Sequence, residues 1–283
     1  MCLRYIVGLL ICVAKFNAQN LVGDLVGVVG DVVDGVGNVV EDLLPVPTKS
    51  YISRGYDAYE GQFPYQAILK TVNGQFFCGA SVIGQRWVLT AGHCFYNSPR
   101  NNPNAVTVGV GSIDRNAGDT YYVSLILIHP NYRGPRVSFY QYDAAVVQTS
   151  IYMQLSNLVR PIVLGVAGVS TGRECFVSGW GRTGAGNAPG SQFLQYAPQR
   201  TISFNQCQRA WPMATSASDI CTERVGDSGP RSGDSGGPLA LTIAAGYRQI
   251  GIVSGSAPGK PYVYTRVSYI YNWVRQACNF EIA

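Results

Sequence analysis

From Ile52 onward the chain is built of short runs of β-branched and aromatic residues. They are Tyr65 to Val72, Ser81 to Leu89, Ala105 to Val110, Tyr121 to Ile128, Ala144 to Val147 and Tyr247 to Val253. Clusters of Gly, Asn or Pro separate them. Such runs suit a pleated, half-buried surface, and the clusters supply turns. Short strands at regular spacing predict a barrel or sandwich. Charged residues make up only 13% beside 33 glycines and 18 tyrosines, which excludes a charge-rich disordered chain and a long coiled coil. Helical spacing occurs at Ser268 to Ala277, where Ile270, Trp273, Val274 and Ala277 fall near one face. The expected fold is all-β with a C-terminal α-helix. Asn97 to Asn104 reads as an exposed loop, and no Asn-x-Ser/Thr acceptor is present.

The first 51 residues differ in kind. Residues 1–18 pair Arg4 with an apolar stretch, Tyr5 to Ala14, and end on the small residue Ala18. This pattern predicts a secretory signal peptide, with Lys15 atypical for one. Residues 19–51 repeat about every seven residues, with Asp24, Asp31 and Asn38 in step. Five glycines oppose a helix there, so a weakly ordered spacer or a packing pro-segment is expected, closed by Pro45 and Pro47. This segment carries five acids and one base, whereas the body from Ile52 carries 11 acids and 18 bases. Basic residues do not cluster in runs, so nucleic acid is not an expected partner. No later segment is long and apolar enough to predict a membrane anchor.

Chemistry concentrates at three places. His93 and His129 are the two histidines, and His93 sits in Leu89-Thr-Ala-Gly-His-Cys94. Ser235 lies in Gly233-Asp-Ser-Gly-Gly-Pro-Leu239. Glycines on both sides allow the backbone N–H groups to turn outward, where they can hold an oxyanion. A serine hydroxyl needs a base to become a nucleophile, and the base needs an orienting acid. Asp143 leads into the apolar run Ala144 to Val147, a costly place for a carboxylate without a partner. Gly233 to Gly237 also fits the nucleophile elbow of α/β-hydrolases, but no histidine follows Ser235, against the order that fold requires. A second Gly-Asp-Ser-Gly, with Ser228, lacks the following Gly-Pro-Leu and reads as a loop.

These segments resemble the chymotrypsin-fold, trypsin-like serine endopeptidases, with arthropod chymotrypsin-like enzymes nearest in kind. TAGHC, YDAAVV and GDSGGPL carry the likeness, with EGQFPYQ, IHPNY, CFVSGWGRT and VYTRV in the family's chain order. The resemblance implies two packed six-stranded antiparallel β-barrels over residues 52–283, with the active site between them. It implies catalysis by His93, Asp143 and Ser235, and an oxyanion hole from Gly233 and Ser235. It gives Ser254 to the strand that pairs with substrate backbone, and Gly229 and Tyr262 to the specificity pocket. It implies disulfides Cys78–Cys94 and Cys207–Cys221, leaving Cys175 and Cys278 either bridged to each other or free. HPNY makes His129 structural or surface-lying. Without a Cys-x-x-Cys or a histidine cluster, no metal or other cofactor is expected.

Departures from the family pattern shape the rest. In the family a new N-terminus pairs with the acid before the nucleophile, which assigns activation to Ile52 and Asp234. The preceding residue is Tyr51, so a chymotrypsin-like cut is expected. Arg231 replaces a cysteine of the usual pocket bridge, Gly255 replaces a Trp, and Tyr262 replaces a Gly. Gly229 falls at or next to the pocket floor, and Asp227 is close to it in sequence. The expectation is a secreted, monomeric zymogen of non-trypsin-like specificity, acting on proteins or peptides and met by protein inhibitors. The alternative is a catalytically weak or inactive homologue serving as a binding or regulatory module.

Overall fold

A computed structural model describes residues 49–50, 55–137, 140–183, 189–212, 216–224 and 228–283. The signal peptide, most of the pro-segment, Ile52 and Asp227 lie outside the described residues. Thr48–Ala283 forms a unit of its own. It begins with β1 (Lys49–Ser50) paired to β2 (Gly55–Asp57).

β3 (Gln66–Thr71), β4 (Phe76–Gly84), β5 (Trp87–Thr90), β6 (Val106–Val110), β7 (Asp119–Ile128) and β8 (Ala145–Thr149) close into a barrel in the order β3-β4-β5-β8-β7-β6. Closure leaves no unpaired edge. The apolar run Ser81 to Leu89 is a hairpin, not one strand. The chain turns at Gln85 and Arg86, and Gly84 pairs with Trp87. Glycine is needed there because a Cβ on Gly84 would lie 2.2 Å from the Glu281 carbonyl oxygen.

The second half contains β9 (Val163–Leu164), β10 (Glu174–Gly179), β11 (Gln195–Arg200), β12 (Asp219–Thr222), β13 (Pro238–Ile243), β14 (Gly246–Gly255) and β15 (Tyr262–Arg266). Six of them run β11-β10-β13-β14-β15-β12. A bridge between Thr201 and Thr222, with Ile202 N–H to Cys221 O at 3.0 Å and Glu223 N–H to Arg200 O at 2.9 Å, brings the two ends together. This is the second barrel.

Among the described residues two α-helices accompany the strands. The C-terminal α2 (Val267–Ala277) buries Val267, Ile270 and Val274, spaced as one helical face. The shorter α1 (Phe204–Ala210) corrects the expectation of a lone helix. Its start is a capping box: Ser203 Oγ accepts from Gln206 N–H, and Gln206 Oε1 accepts from Ser203 N–H. Seven residues give too little apolar periodicity to read; the signal that could have found it is Ser203-x-x-Gln206.

One apolar core cluster joins the first barrel to Trp180, Ala240 and Ile252 of the second half and to Ile270 of α2. Polar ties cross the same seam: Ser81 Oγ to Gln249 Oε1 at 2.6 Å and Ser178 Oγ to Gln66 Oε1 at 2.6 Å, both buried. Bonds in a dry seam fix the mutual placement of the halves more firmly than exposed ones would.

Candidate active site

Sheet register brings two of the three chemical groups together. β5 and β8 are antiparallel neighbours with Thr90 opposite Ala145. The chain leaving β5 makes a 3-10 turn at Gly92–Cys94, and Asp143 stands two residues before Ala145. His93 and Asp143 therefore meet at the same barrel end. Asp143 Oδ2 lies 2.6 Å from His93 Nδ1, and Oδ1 accepts the His93 backbone N–H at 2.8 Å. Asp143 is 1% exposed, His93 26%. Ser254 Oγ donates to Asp143 Oδ2 at 2.5 Å, and Thr265 Oγ1 donates to the Asp143 carbonyl at 2.8 Å. The second barrel thus helps hold the acid of the first. Burial pulls the His93 pKa down, but the charge and hydrogen bond of Asp143 more than offset it, and the net direction is up.

Ser235 arrives from the other half, in the turn before β13. Ser235 O accepts Gly79 N–H at 2.8 Å, beside the Cys78–Cys94 disulfide. Gly236 lies so close to the strand entering the histidine turn that a Cβ there would come within 2.1 Å of Thr90 Oγ1. Gly236 N–H donates to Val253 O and Val253 N–H to Gly237 O, setting Ser235 beside Ser254. Backbone contacts, then, unite the serine segment with the histidine segment. Among the described residues no hydrogen bond joins Ser235 Oγ to His93; in unliganded enzymes this contact is commonly long.

The turn also presents unused donors. Asp234, Gly236 and Gly237 N–H groups donate to Arg231 O, Val253 O and Asp234 O. Among the described residues the N–H groups of Gly233 and Ser235 have no acceptor within the protein. Gly233 has φ +102°, a left-handed conformation that favours glycine.

Asp234 points the other way and is fully buried. Its carboxylate accepts Gly181 N–H at 2.7 Å and Arg231 N–H at 2.8 Å. Burial pushes its pKa up to about 6, against those two bonds. Gly179 and Gly181 are the reason it fits: a Cβ on either would lie 2.2 or 2.4 Å from its oxygens. Lys49 and Ser50 pair with Tyr56 and Gly55, so the Tyr51–Ile52 bond falls in the connection between β1 and β2. Both residues of that bond lie outside the described residues.

A cleft of about 330 Å³ is lined by Ser235, Ser254, Gly255, Tyr140 and Arg231, among others. The glycine at 255 has an aromatic answer. The Tyr140 ring lies where a Cβ on Gly255 would be, 2.0 Å from Tyr140 Cε1, and packs edge-on against Trp211. The sequence signalled the missing Trp but not this replacement from the other barrel. Tyr262 and Gly229 are both buried. A Cβ on Gly229 would lie 2.3 Å from the Tyr262 ring, so the ring fills that space, with Arg224 stacked over it at 4.4 Å.

Among the described residues the cysteines divide as Cys78–Cys94, Cys207–Cys221 and two free buried thiols, Cys175 and Cys278. The bridge between Cys175 and Cys278, one of the two expectations, is absent. His93 lies near Cys78 and Cys94, but those sulfurs are bonded to each other and offer no thiolate to a metal. His129 is structural: buried, stacked on Tyr142 at 4.9 Å, with its pKa lowered to about 4 by burial. Ser228 is buried as well.

The Trypsin family model matches residues 52–274. This chain belongs to the trypsin family. Serine protease SP24D of Anopheles gambiae is 33% identical over 78% of this chain and 79% of its own length. Trypsin-1 of Astacus astacus is 33% identical over 78% of this chain and 97% of its own. Transmembrane protease serine 7 of Mus musculus is 35% identical over 78% of this chain, which spans only 28% of that longer protein. Among solved structures, mouse neuropsin, titled a serine protease, superposes with a TM-score of 0.71 at 27% identity, covering 79% of this chain and 98% of its own. This trypsin-family chain has the family's two-barrel fold with a C-terminal helix. Among its described residues no helix is long and apolar enough to cross a membrane.

Proposed function

We propose that this chain is a serine endopeptidase, exported and made as a zymogen, whose specificity is not trypsin-like. The observation that carries the reading is the pair of unused N–H donors at Gly233 and Ser235 in a turn packed against the histidine segment. Ser235 Oγ attacks the scissile carbonyl carbon while His93 Nε2 takes its proton. The oxyanion receives the Gly233 and Ser235 N–H groups. The C–N bond then breaks, His93 returns the proton to the leaving amine, and water repeats the sequence on the acyl-enzyme. Asp143, on Nδ1, holds the tautomer that leaves Nε2 facing the serine.

Activation follows from Asp234. A cut after Tyr51 frees the Ile52 ammonium, a counter-charge for a buried carboxylate that accepts two backbone N–H groups. The Tyr262 ring over Gly229 disfavours a long basic side chain in the pocket. Secretion, a monomeric state, and protein substrates and inhibitors without a nucleic-acid or membrane partner complete the reading. That same filled pocket favours the second reading, a weakly active or inactive homologue acting as a binding module.

A serine-directed phosphonate separates the two. The chain is treated with chymotrypsin, its new N-terminus is sequenced, and labelling is read by mass. Stoichiometric label on Ser235, absent in Ser235→Ala, is expected. An Ile52 terminus without label would favour the binding module.

A further inference from the structure

A second cleft, of about 460 Å³, opens on the other side of the serine turn. It shares Ser232 with the first cleft and reaches Gly233 and Phe76. Three cations line it, Lys70, Arg115 and Arg182, and among the described residues no carboxylate does. They come from three separate parts of the chain: Lys70 from β3, Arg115 after β6, and Arg182 after β10. Arg115 Nη1 donates to Gly190 O at 3.3 Å. A guanidinium has five N–H donors, so this bond leaves it able to bind more. Burial lowers the Lys70 pKa, which Asp114 opposes and Arg115 reinforces. The nearby acid, Asp114, accepts Asn116 N–H at 2.9 Å and Gln192 Nε2 at 3.1 Å, and its charge acts on both Lys70 and Arg115; one carboxylate beside three cations leaves the cleft net positive.

The two clefts define a path. If the Ser254 strand pairs with the residues before the scissile bond, as the family resemblance implies, a chain crossing the Gly233 donors continues into the second cleft. Like charges gathered there repel a basic segment and attract an acidic one. We infer that this cleft selects peptides with Asp or Glu among the first three residues after the scissile bond, through Lys70, Arg115 and Arg182. The inference rests on the proposed proteolytic site for its direction and on the cleft itself for its charge.

The test uses fluorescent peptides reading Ala-Ala-Tyr followed by three Asp, three Ala or three Lys. Binding to full-length Ser235→Ala is followed by anisotropy, and cleavage by the chymotrypsin-treated wild-type chain by mass. At low salt the Asp peptide is expected to bind and be cleaved about tenfold better than the Lys peptide. In about 1 M salt, where the Debye length is about 3 Å, the preference should largely vanish. It should also vanish in Lys70→Gln/Arg115→Gln, whose unchanged Tm would report a sound fold. A ratio near one at low salt, or one untouched by the double substitution, overturns the inference. An Asp preference in binding with no cleavage of any peptide keeps the inference and sinks the proposed hydrolysis. Cleavage of all three peptides at equal rates does the reverse.

Discussion

At the residue scale, the buried acid is the most informative group. Asp143 receives His93 twice and Ser254 once. A carboxylate 1% exposed is tolerable only because these donors replace water. The same contacts raise the His93 pKa above its ordinary 6.5. The base form is the active one, so kcat/KM of the processed chain should rise with pH through a midpoint above 6.5. In Asp143→Asn the midpoint should move down and kcat fall by about four orders of magnitude, the loss typical of this triad chemistry. A pH profile from 5 to 9 with an ester substrate reads both. An unmoved midpoint would show that Asp143 does not set the histidine's charge.

At the element scale, short segments owe their form to single residues. The α1 helix has seven residues, below the length at which helices hold themselves. Its capping box and the Cys207–Cys221 bridge anchor it. Ser203→Ala should cost about 1 kcal/mol, read as a lowered urea midpoint at constant slope. Glycines 179 and 181 make the matching case in β10 and just beyond it. Gly181→Ala puts a methyl group 2.4 Å from Asp234 Oδ2 and should lower stability by about 1–3 kcal/mol. Reactivity of Ser235 toward the phosphonate should fall with it, because the displaced acid carries the serine turn.

At the scale of the whole molecule, the two free thiols report on the core. Cys175 and Cys278 are each fully buried, and burial pushes both pKa values up to about 12. Ellman's reagent should therefore find no thiol in the folded body and both on unfolding in guanidinium. Fast reaction in native buffer would contradict the burial. Much of this was legible in the chain. Strand-forming runs predicted a barrel or sandwich, the family likeness implied two barrels, and TAGHC, YDAAVV and GDSGGPL singled out the candidate chemistry, because pleated packing and nucleophile framing each demand local residue types. The hairpin within Ser81 to Leu89 was less legible, since its glycine answers a contact with Glu281, distant in sequence. Sequence by itself determined the strand-rich character and singled out the candidate histidine, acid and serine, because these depend on neighbours along the chain. Tertiary structure alone decided that Ser254 steadies Asp143, that Tyr140 covers Gly255, and that Lys70, Arg115 and Arg182 share one cleft. Each joins residues from separate strands or loops, and only barrel closure and the packed seam between the barrels bring such partners within contact.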